Sequence, residues 1–307
     1  MAVKDQLITE NYAMYQGDCV EVTKTLPDES IDMAIFSPPF ADLYCYSDSP
    51  EDMGNCKGYE QFFQHFDFLT QQIFRVIKPG RLCVIHCIDI PAMKERDGYI
   101  GLKDFPGDII RNYVQNGFIY HSKHTIWKDP LIEAVRTKAI GLMHKQIIKD
   151  SSMCRAGLPD YLLAFRKPGE NKTPIAHKEG LVRYAGSKDP GGQGLSRQHN
   201  LWRAYASPVW MDIRQTNTLN ARAARDSKDE KHICPLQLDV IERACVLWSN
   251  PGEVILTPFM GVGSEVYGAV INGRRGVGIE LKPSYYRQAV ANLAAAEEHR
   301  KEQDALL

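Results

Sequence analysis

Short apolar segments alternate with helical patterns at both ends of the chain, and this alternation limits the fold more than any other feature. Residues 31–36 form a β-rich run that ends at two adjacent prolines, which cannot continue a central strand. Apolar residues then recur at spacings of three and four over residues 62–77, which is typical of one helix face. The continuous apolar run at 82–88 follows, as expected for a strand buried on both faces of a parallel sheet.

The same alternation returns near the end of the chain. The predicted elements are a helix over 236–248, a strand over 253–257, a helix ending at Asn272-Gly273, a strand over 276–280 and a helix over 283–295. Residues 130–231 lose this rhythm and are rich in turn signals, so we predict a loop-rich insert there. Strands alternating with helices on both sides of one insert predict an α/β fold with a single doubly wound, mostly parallel sheet.

Composition excludes several classes of protein. Apolar residues make up 44% of the 307 residues and charged residues 24%, which is ordinary for a globular protein and excludes a disordered or fibrous one. The eight cysteines are few for a disulfide scaffold and form no CxxC pair, so we expect reduced thiols and no metal site. The first ten residues resemble no signal peptide, and no apolar stretch is long enough to span a membrane, so we expect a cytoplasmic location.

The net charge of −1 conceals an uneven distribution. Residues 120–231 contain 20 Lys and Arg against 11 Asp and Glu, so the flanking segments are acidic. A local excess of positive charge is the electrostatic footprint of phosphate-backbone binding. The alternative is a solvated charged face with no ligand, and charge alone does not decide between the two.

A glycine-rich turn stands between a predicted strand and a predicted helix. It reads Phe259-Met260-Gly261-Val262-Gly263, and Glu280 closes the next strand 17 residues after Gly263. Glycines let the backbone approach a nucleoside-like ligand, and an acidic residue at the end of the next strand can accept hydrogen bonds from both ribose hydroxyls. The alternative makes the glycines a close-packing device and Glu280 a surface charge. The order strand, turn, helix, strand and acid favours binding.

A second motif, Ser37-Pro38-Pro39-Phe40, follows the strand over 31–36. It should therefore lie at the carboxyl edge of the sheet, where open α/β folds bind ligands. Prolines have a fixed φ and no N–H, so this loop presents carbonyl acceptors beside an aromatic ring. Such a loop suits a planar group with an amino donor, which Phe40 can stack upon. The alternative is an ordinary turn with a buried Phe.

Together the two motifs resemble those of the amino-methylating DNA methyltransferases, which bind S-adenosylmethionine through an FxGxG turn and have a (D/N/S)PP(Y/F/W) catalytic loop. The catalytic loop precedes the insert and the glycine turn follows it, as in the circularly permuted β class of orphan and prophage enzymes. The resemblance covers nearly the whole chain and implies a Rossmann-like methyltransferase sheet. Its catalytic half would be residues 1–129, its DNA target-recognition insert 130–231 and its cofactor half 232–307.

The resemblance also implies roles for individual residues. The target-base pocket would contain Ser37, Pro38, Pro39 and Phe40. The residues expected around S-adenosylmethionine are Asp18, Thr257, Phe259, Gly261, Gly263, Ser264 and Glu280. Two departures stand out, since Thr257 replaces the usual Asp before Pro-Phe, and Cys234 separates His232 from Pro235 in a segment similar to H-P-x-Q.

The resemblance further implies that the basic insert, with the residues just before it, binds double-stranded DNA. The candidate contacts to the backbone or to bases are Lys123, Lys128, Arg136, Lys138, Lys145, Arg155, Arg183, Tyr184, Arg197 and Arg203. Arg can pair bidentately with guanine, whereas Lys mostly contacts phosphate. His86 and His121, flanked by apolar residues, are expected to be core histidines rather than ligands.

Several alternatives stay open at this point. The target atom is N6 of adenine, which similarity to prophage-type enzymes favours, or N4 of cytosine, for which a Ser-initiated loop is commoner. Protein or RNA amino methylation is more distant. A nicotinamide-dependent oxidoreductase would use the same turn, but Val266 stands where GxGxxG needs its third glycine. A DNA-binding module without catalysis is a further alternative. The resemblance suggests a homodimer and a location at the nucleoid.

Overall fold

One large sheet forms the centre of the computed structural model, which describes residues 2–40, 53, 58–92, 94–137, 140–220 and 235–304. The strands are β1 (Val3–Ile8), β2 (Tyr12–Gly17), β3 (Ile31–Phe36), β4 (Ile77–Cys87), β5 (Ile90–Ala92), β6 (Gly101–Lys103), β7 (Ile119–Ile126), β8 (Asp160–Arg166), β9 (Val209–Trp210), β10 (Val254–Thr257) and β11 (Arg275–Glu280). The α-helices are α1 (Cys19–Thr25), α2 (Tyr59–Val76), α3 (Lys94–Asp97), α4 (Phe105–Gln115), α5 (Pro130–Thr137), α6 (His144–Lys149), α7 (Gly194–Ala206), α8 (Leu238–Trp248), α9 (Ser264–Ile271) and α10 (Pro283–Asp304).

The order of the strands shows a doubly wound sheet. Neighbouring strands follow the order β1-β2-β11-β10-β3-β4-β8-β7-β9, while β5 and β6 pair separately. The five strands from β2 to β4 in this order are parallel, and β8 is antiparallel to both of its neighbours. The chain leaves β10 through α9 towards β11, and it leaves β3 through α2 towards β4, on the opposite side. The predicted α/β fold with a mostly parallel sheet is confirmed.

Both faces of the sheet are apolar, which explains the continuous apolar runs in its strands. Met33 and Ile35 pack with α8, whereas Ala34 and Phe36 belong to the cluster that contains α1, α2 and α4. Helices α9 and α10 extend the layer on the α8 side. Alternate side chains of a strand point to opposite faces, so a sheet covered on both sides needs apolar residues at every position. In the part of the chain that the structure describes, none of the helices has the length and apolarity needed to cross a membrane.

The segment 130–231, predicted as a loop-rich insert, contributes more to the sheet than its composition indicates. Strand β8 lies inside the sheet between β4 and β7. Tyr184, Tyr205 and Trp210 are buried and pack in the same cluster as α8. The sequence pattern misses β8 because its apolar core, residues 162–165, is only four residues long and stands between polar residues and prolines. The segment is therefore joined to the core at several points.

A buried carboxylate at the start of α8 binds residues 214 and 217, near the end of this segment. Asp239 is fully buried and accepts hydrogen bonds from the Arg214 amide at 2.9 Å, from Arg214 Nη2 at 2.5 Å and from Asn217 Nδ2 at 2.7 Å. Burial acts to raise the pKa of Asp239, but the bonds from Arg214 and Asn217 outweigh it and hold that pKa below its ordinary value. The ionised form is therefore the one that stabilises this junction.

We predict that Asp239→Asn lowers the free energy of unfolding by about 2 kcal/mol at pH 7, because charge-assisted hydrogen bonds are lost at a buried site. Since the folded state lowers the pKa of this carboxyl, its contribution is complete above the ordinary value of 3.8 and disappears as the pH falls through the lower folded value. Urea unfolding at pH 7 and pH 3 measures both effects. The exposed Asp189→Asn is the matched control. An equal difference between Asp239→Asn and wild type at both pH values would contradict the assignment.

Candidate active site

The two motifs meet where β10 and β3 lie side by side. The strands pair in parallel, with Ile255 opposite Met33 and Leu256 opposite Ala34. Their carboxyl ends therefore reach the same edge of the sheet, and the rings of Phe36 and Phe259 lie 5.7 Å apart between centroids. The connections from β10 and β3 diverge at this point, which is where open α/β sheets leave a crevice for a ligand.

The glycine turn has the backbone that its sequence requires. Gly261 and Gly263 have φ values of 55° and 94°, in the left-handed region, and Gly263 caps the N-terminus of α9. A Cβ at Gly261 would meet no described atom within 4 Å, so this glycine leaves open space beside the turn. The Gly261 amide donates to Glu280 Oε2 at 2.7 Å, and the Lys282 amide donates to Oε1 at 2.8 Å. The Glu280 carboxylate is thus fixed against the turn.

Two hydroxyl groups beside the turn have no hydrogen-bond partner among the described residues. Thr257 and Ser264 are both buried, and neither Thr257 Oγ1 nor Ser264 Oγ forms a hydrogen bond with any described residue. Buried polar groups without a partner are uncommon because their desolvation is costly. Here they lie on either side of the glycine turn, at the end of β10 and the start of α9. A polar ligand in the crevice would satisfy them.

Asp18 lies near the same edge of the sheet. It follows β2, whose Gln16 pairs with Glu280, and it caps α1 by accepting a hydrogen bond from the Glu21 amide at 2.9 Å. Both Asp18 and Glu280 act electrostatically on the buried Cys19, whose pKa is raised chiefly by burial and further by these two carboxylates. The predicted cofactor residues Asp18, Phe259 and Glu280 therefore stand on three neighbouring elements.

Sequence analysis missed a further acid, Glu265, in the first turn of α9. Its side chain is 4% exposed, and burial raises its pKa to about 8, with a smaller rise from the negative charge of Glu280 and a lowering from its own backbone N–H. Its place beside the glycine turn was visible in the sequence, but its burial depends on how α9 packs. A carboxyl in this state can bind a cation that enters the crevice.

The catalytic loop begins with a serine that has a defined partner. Ser37 Oγ lies 2.9 Å from His86 Nδ1. Pro38 is buried, while Pro39 and Phe40 are partly exposed. The ring of Phe40 meets the ring of Phe105 edge to face, with centroids 6.2 Å apart. One edge of Phe40 is thus fixed against α4, and the loop carries acceptor groups beside this ring.

His86 is buried, as predicted, but it is not simply a core residue. Its Nε2 lies 3.1 Å from Asp160 Oδ2, and Lys128 Nζ lies 2.5 Å from Asp160 Oδ1. Burial acts to raise the pKa of Asp160, but His86 and Lys128 outweigh it and lower that pKa. His86 follows Ile85, and Ile85 pairs with Phe36, which precedes Ser37. The register of β3 and β4 therefore places His86 beside Ser37, which the residues around His86 in sequence do not indicate. His121 is exposed rather than in the core.

The ten predicted DNA contacts fall into different environments. Arg155 is partly buried and forms an ion pair with Glu133 at 3.2 Å, and Arg136 lies on helix α5. Lys138 lies outside the described residues, as do His232 and Cys234. The exposed candidates are Lys123, Lys145, Arg183, Arg197 and Arg203.

The structure corrects one of these assignments, Tyr184, and places another, Lys128, in an ion pair within the protein. Lys128 is engaged in the ion pair with Asp160, and its side chain is 19% exposed. Tyr184 is 1% exposed, and the Arg243 guanidinium lies 3.9 Å from its ring centroid. An aromatic ring next to basic residues in sequence suggests a stacking surface for nucleic acid, but this ring is used inside the core. The Tyr184 ring is therefore not available on the surface for DNA, whereas Lys128 is partly exposed.

We predict that Glu265→Gln stabilises the protein without cofactor at alkaline pH. The folded state raises the pKa of Glu265 from its ordinary 4.5 to about 8, so it retains a proton that the unfolded chain releases in this range. Wild type should lose stability relative to the variant as the pH rises from about 5 to about 8, by up to about 1.4 kcal/mol per pH unit. Thermal unfolding across this range is the measurement, with the exposed Glu298→Gln as control. Parallel curves for Glu265→Gln and wild type would contradict the assignment.

Comparisons with known proteins identify the family of the chain. The DNA methylase family of N6 and N4 methyltransferases matches residues 31–291. The type II methyltransferase M.BamHI of Bacillus amyloliquefaciens is 22% identical over 91% of the chain, which spans only 56% of that protein. M.BglI of Bacillus subtilis is 21% identical over 92% of the chain and 85% of its own length.

Two solved structures show the same fold. TTHA0409 of Thermus thermophilus, in its complex with S-adenosyl-L-methionine, has a TM-score of 0.62 at 22% identity, covering 93% of this chain and 95% of its own. The cytosine-N4-specific PvuII DNA methyltransferase has a TM-score of 0.58 at 16% identity, covering 97% and 95%. The family match covers both motifs and the insert between them. The chain belongs to the DNA methylase family of S-adenosylmethionine-dependent N6-adenine and N4-cytosine methyltransferases.

Proposed function

We propose that this chain methylates the exocyclic amino group of a base flipped out of duplex DNA, with N6 of adenine as the favoured atom. The observation that carries the proposal is the contact between Phe36 and Phe259 at the paired ends of β3 and β10. It joins the catalytic loop and the cofactor turn in one crevice, although more than 200 residues separate them in sequence.

The residues around the glycine turn fit S-adenosylmethionine. When bound, this cofactor supplies a methyl group on a positively charged sulfur. Glu280 would accept hydrogen bonds from the ribose hydroxyls, and Asp18 would bind the adenine. Thr257 and Ser264 bring the buried hydroxyls that have no described protein partner. Glu265 supplies a buried carboxyl for the methionine ammonium group, which compensates for Thr257 at the position where the family commonly has Asp.

At the catalytic loop the task is to make a poor nucleophile reactive. The lone pair of an aromatic amino group is delocalised into the ring. Hydrogen bonds from its two protons to Ser37 Oγ and to the Pro38 carbonyl would draw the nitrogen towards tetrahedral geometry and expose the lone pair. Phe40 would stack on the base and hold it in line with the methyl group. Positioning and a preorganised polar site then supply most of the acceleration, and no cysteine nucleophile is required.

The DNA would lie against the exposed basic residues of the insert and of the segment just before it. Lys123, Lys145, Arg183, Arg197 and Arg203 are exposed and would neutralise phosphates or read base edges. A base inside a duplex is inaccessible, so it must swing out, and stacking on Phe40 would offset part of the few kcal/mol that unstacking costs. Homodimerisation and association with the nucleoid are further parts of this proposal, for which sedimentation and fractionation are the tests.

The methylated product distinguishes the alternatives for this chain. The purified protein, incubated with labelled S-adenosylmethionine and unmodified DNA, should transfer label to DNA, and mass analysis of the digested nucleosides should show N6-methyladenine. N4-methylcytosine instead would keep the reaction and change the target base. Tight DNA binding with no transfer of label would contradict the enzymatic proposal.

Substitutions in the Ser37–Phe40 loop separate methyl transfer from cofactor binding. Ser37→Ala and Phe40→Ala should each lower the methylation rate by about 100-fold or more, because each removes a group that positions the amino nitrogen. Cofactor affinity, measured by calorimetry, should stay within about twofold of wild type, since neither side chain lies on the glycine turn. Ser30→Ala and the exposed Phe68→Ala are matched controls. If both active-loop variants lose cofactor binding as well, the loop has a structural role instead.

A further inference from the structure

A continuous series of polar side chains runs inward from the catalytic loop. Ser37 Oγ lies 2.9 Å from His86 Nδ1, His86 Nε2 lies 3.1 Å from Asp160 Oδ2, and Asp160 Oδ1 lies 2.5 Å from Lys128 Nζ. These four residues come from the ends of four adjacent strands, β3, β4, β8 and β7. Because β8 runs antiparallel to its neighbours, its first residue lies at the same edge as the last residues of β4 and β7.

Burial and charge define the protonation of this series. Asp160 is 1% exposed, and the attraction of His86 and Lys128 lowers its pKa against the opposing effect of burial. The carboxylate is therefore ionised, and its negative charge at 3.1 Å favours a proton on Nε2, the imidazole nitrogen that faces it. In the neutral ring the other nitrogen, Nδ1, is then an acceptor. In this tautomer the Ser37 hydroxyl, 2.9 Å from Nδ1, donates its proton to His86.

This direction matters for a serine at this position. The hydroxyl of Ser37 can donate or accept a hydrogen bond, and a proton pointing at the target amino group would oppose its approach. Once that proton is directed to His86, the lone pairs of Oγ are available to accept from the amino group. An Asp or Asn at this position would offer an acceptor oxygen without any such partner.

A Ser, His and Asp in this order also occur in acyl-transfer enzymes. Those enzymes stabilise the oxyanion with backbone N–H groups close to the serine. Here Pro38 and Pro39 follow Ser37 and have no N–H. The loop offers carbonyl acceptors instead, which suits an amino group and not an oxyanion.

We propose that His86, held by Asp160 and Lys128, is a positioning residue that fixes Ser37 as an acceptor and takes up, through the Ser37 hydroxyl, the proton released by methylation. This inference rests on the proposed function. The nitrogen lone pair forms the bond to the methyl carbon as the carbon–sulfur bond breaks, and the electron pair of that bond stays on sulfur. The cationic amino group then passes a proton to Ser37 Oγ while the Ser37 proton moves to His86 Nδ1.

The resulting imidazolium is stabilised by Asp160 and returns to the neutral imidazole when it loses its proton to water. Lys128 completes the series, since it compensates the buried charge of Asp160 in the resting state. A buried carboxylate with one partner removed is strongly unfavourable, so Lys128 keeps Asp160 ionised before and after each proton transfer.

The test compares three kinds of variant. His86→Ala should lower kcat by about 100-fold with little change in KM for DNA or in cofactor affinity. His86→Asn, whose amide oxygen can still accept the Ser37 proton but cannot become protonated, should recover part of this loss. In a Ser37→Asn background, where residue 37 brings its own acceptor oxygen, His86→Ala should cost less than about threefold. His121→Ala is the control, since this histidine is exposed.

An equal loss from His86→Ala in both backgrounds, or wild-type kcat in His86→Ala, would overturn the inference. A second measurement needs no activity: ¹⁵N NMR of the imidazole should show His86 protonated at Nε2 and bare at Nδ1, with the Nδ1 signal displaced in Ser37→Ala. A ring protonated at Nδ1 would also overturn it. If wild type transfers no methyl group at all, the proposed function fails, whereas the NMR result still decides the direction of the Ser37 hydrogen bond.

Discussion

The parallel pairing of β10 with β3 is the constraint on which the site depends. These two strands carry the glycine turn and the catalytic loop at their carboxyl ends, and the helices that follow them depart in opposite directions. In open α/β sheets, such a point of divergence is where a ligand binds. The contact between Phe36 and Phe259 shows how closely the two ends approach. A donor and an acceptor of a methyl group can therefore meet at one place.

The antiparallel strand β8 adds a different element to the same edge. In a purely parallel sheet, only residues that follow strands reach the carboxyl edge. Strand β8 brings its beginning there, and so a buried acid, Asp160, lies behind the catalytic loop. The charges at this edge are compensated within the protein, by His86 and Lys128 for Asp160 and by two backbone amides for Glu280. The hydroxyls of Thr257 and Ser264 form no hydrogen bond with any described residue.

Local patterns account for the part of this architecture that sequence analysis predicted. A periodicity or turn signal of their own marks strands β3, β4, β10 and β11 and helices α2 and α9. The family resemblance implied that these elements form one methyltransferase sheet. The surroundings of other residues depend on long-range register instead. His86 looks like any core histidine until β4 is aligned with β3, and Lys128 looks like a phosphate contact until β8 is recognised. Tyr184 was misread for the same reason, because its partner Arg243 lies on a helix nearly sixty residues away.

The electrostatics of the crevice give a reason for a serine at position 37. Glu280 lies close enough to Glu265 to raise the pKa of Glu265. Asp160 contacts His86, which in turn contacts Ser37 of the loop. A carboxylate at position 37 would add another negative charge next to this group, and neighbouring carboxylates resist ionisation together. A hydroxyl avoids that repulsion, but it needs a partner to direct its proton. His86 is that partner, so a serine at position 37 and the buried series behind it depend on each other.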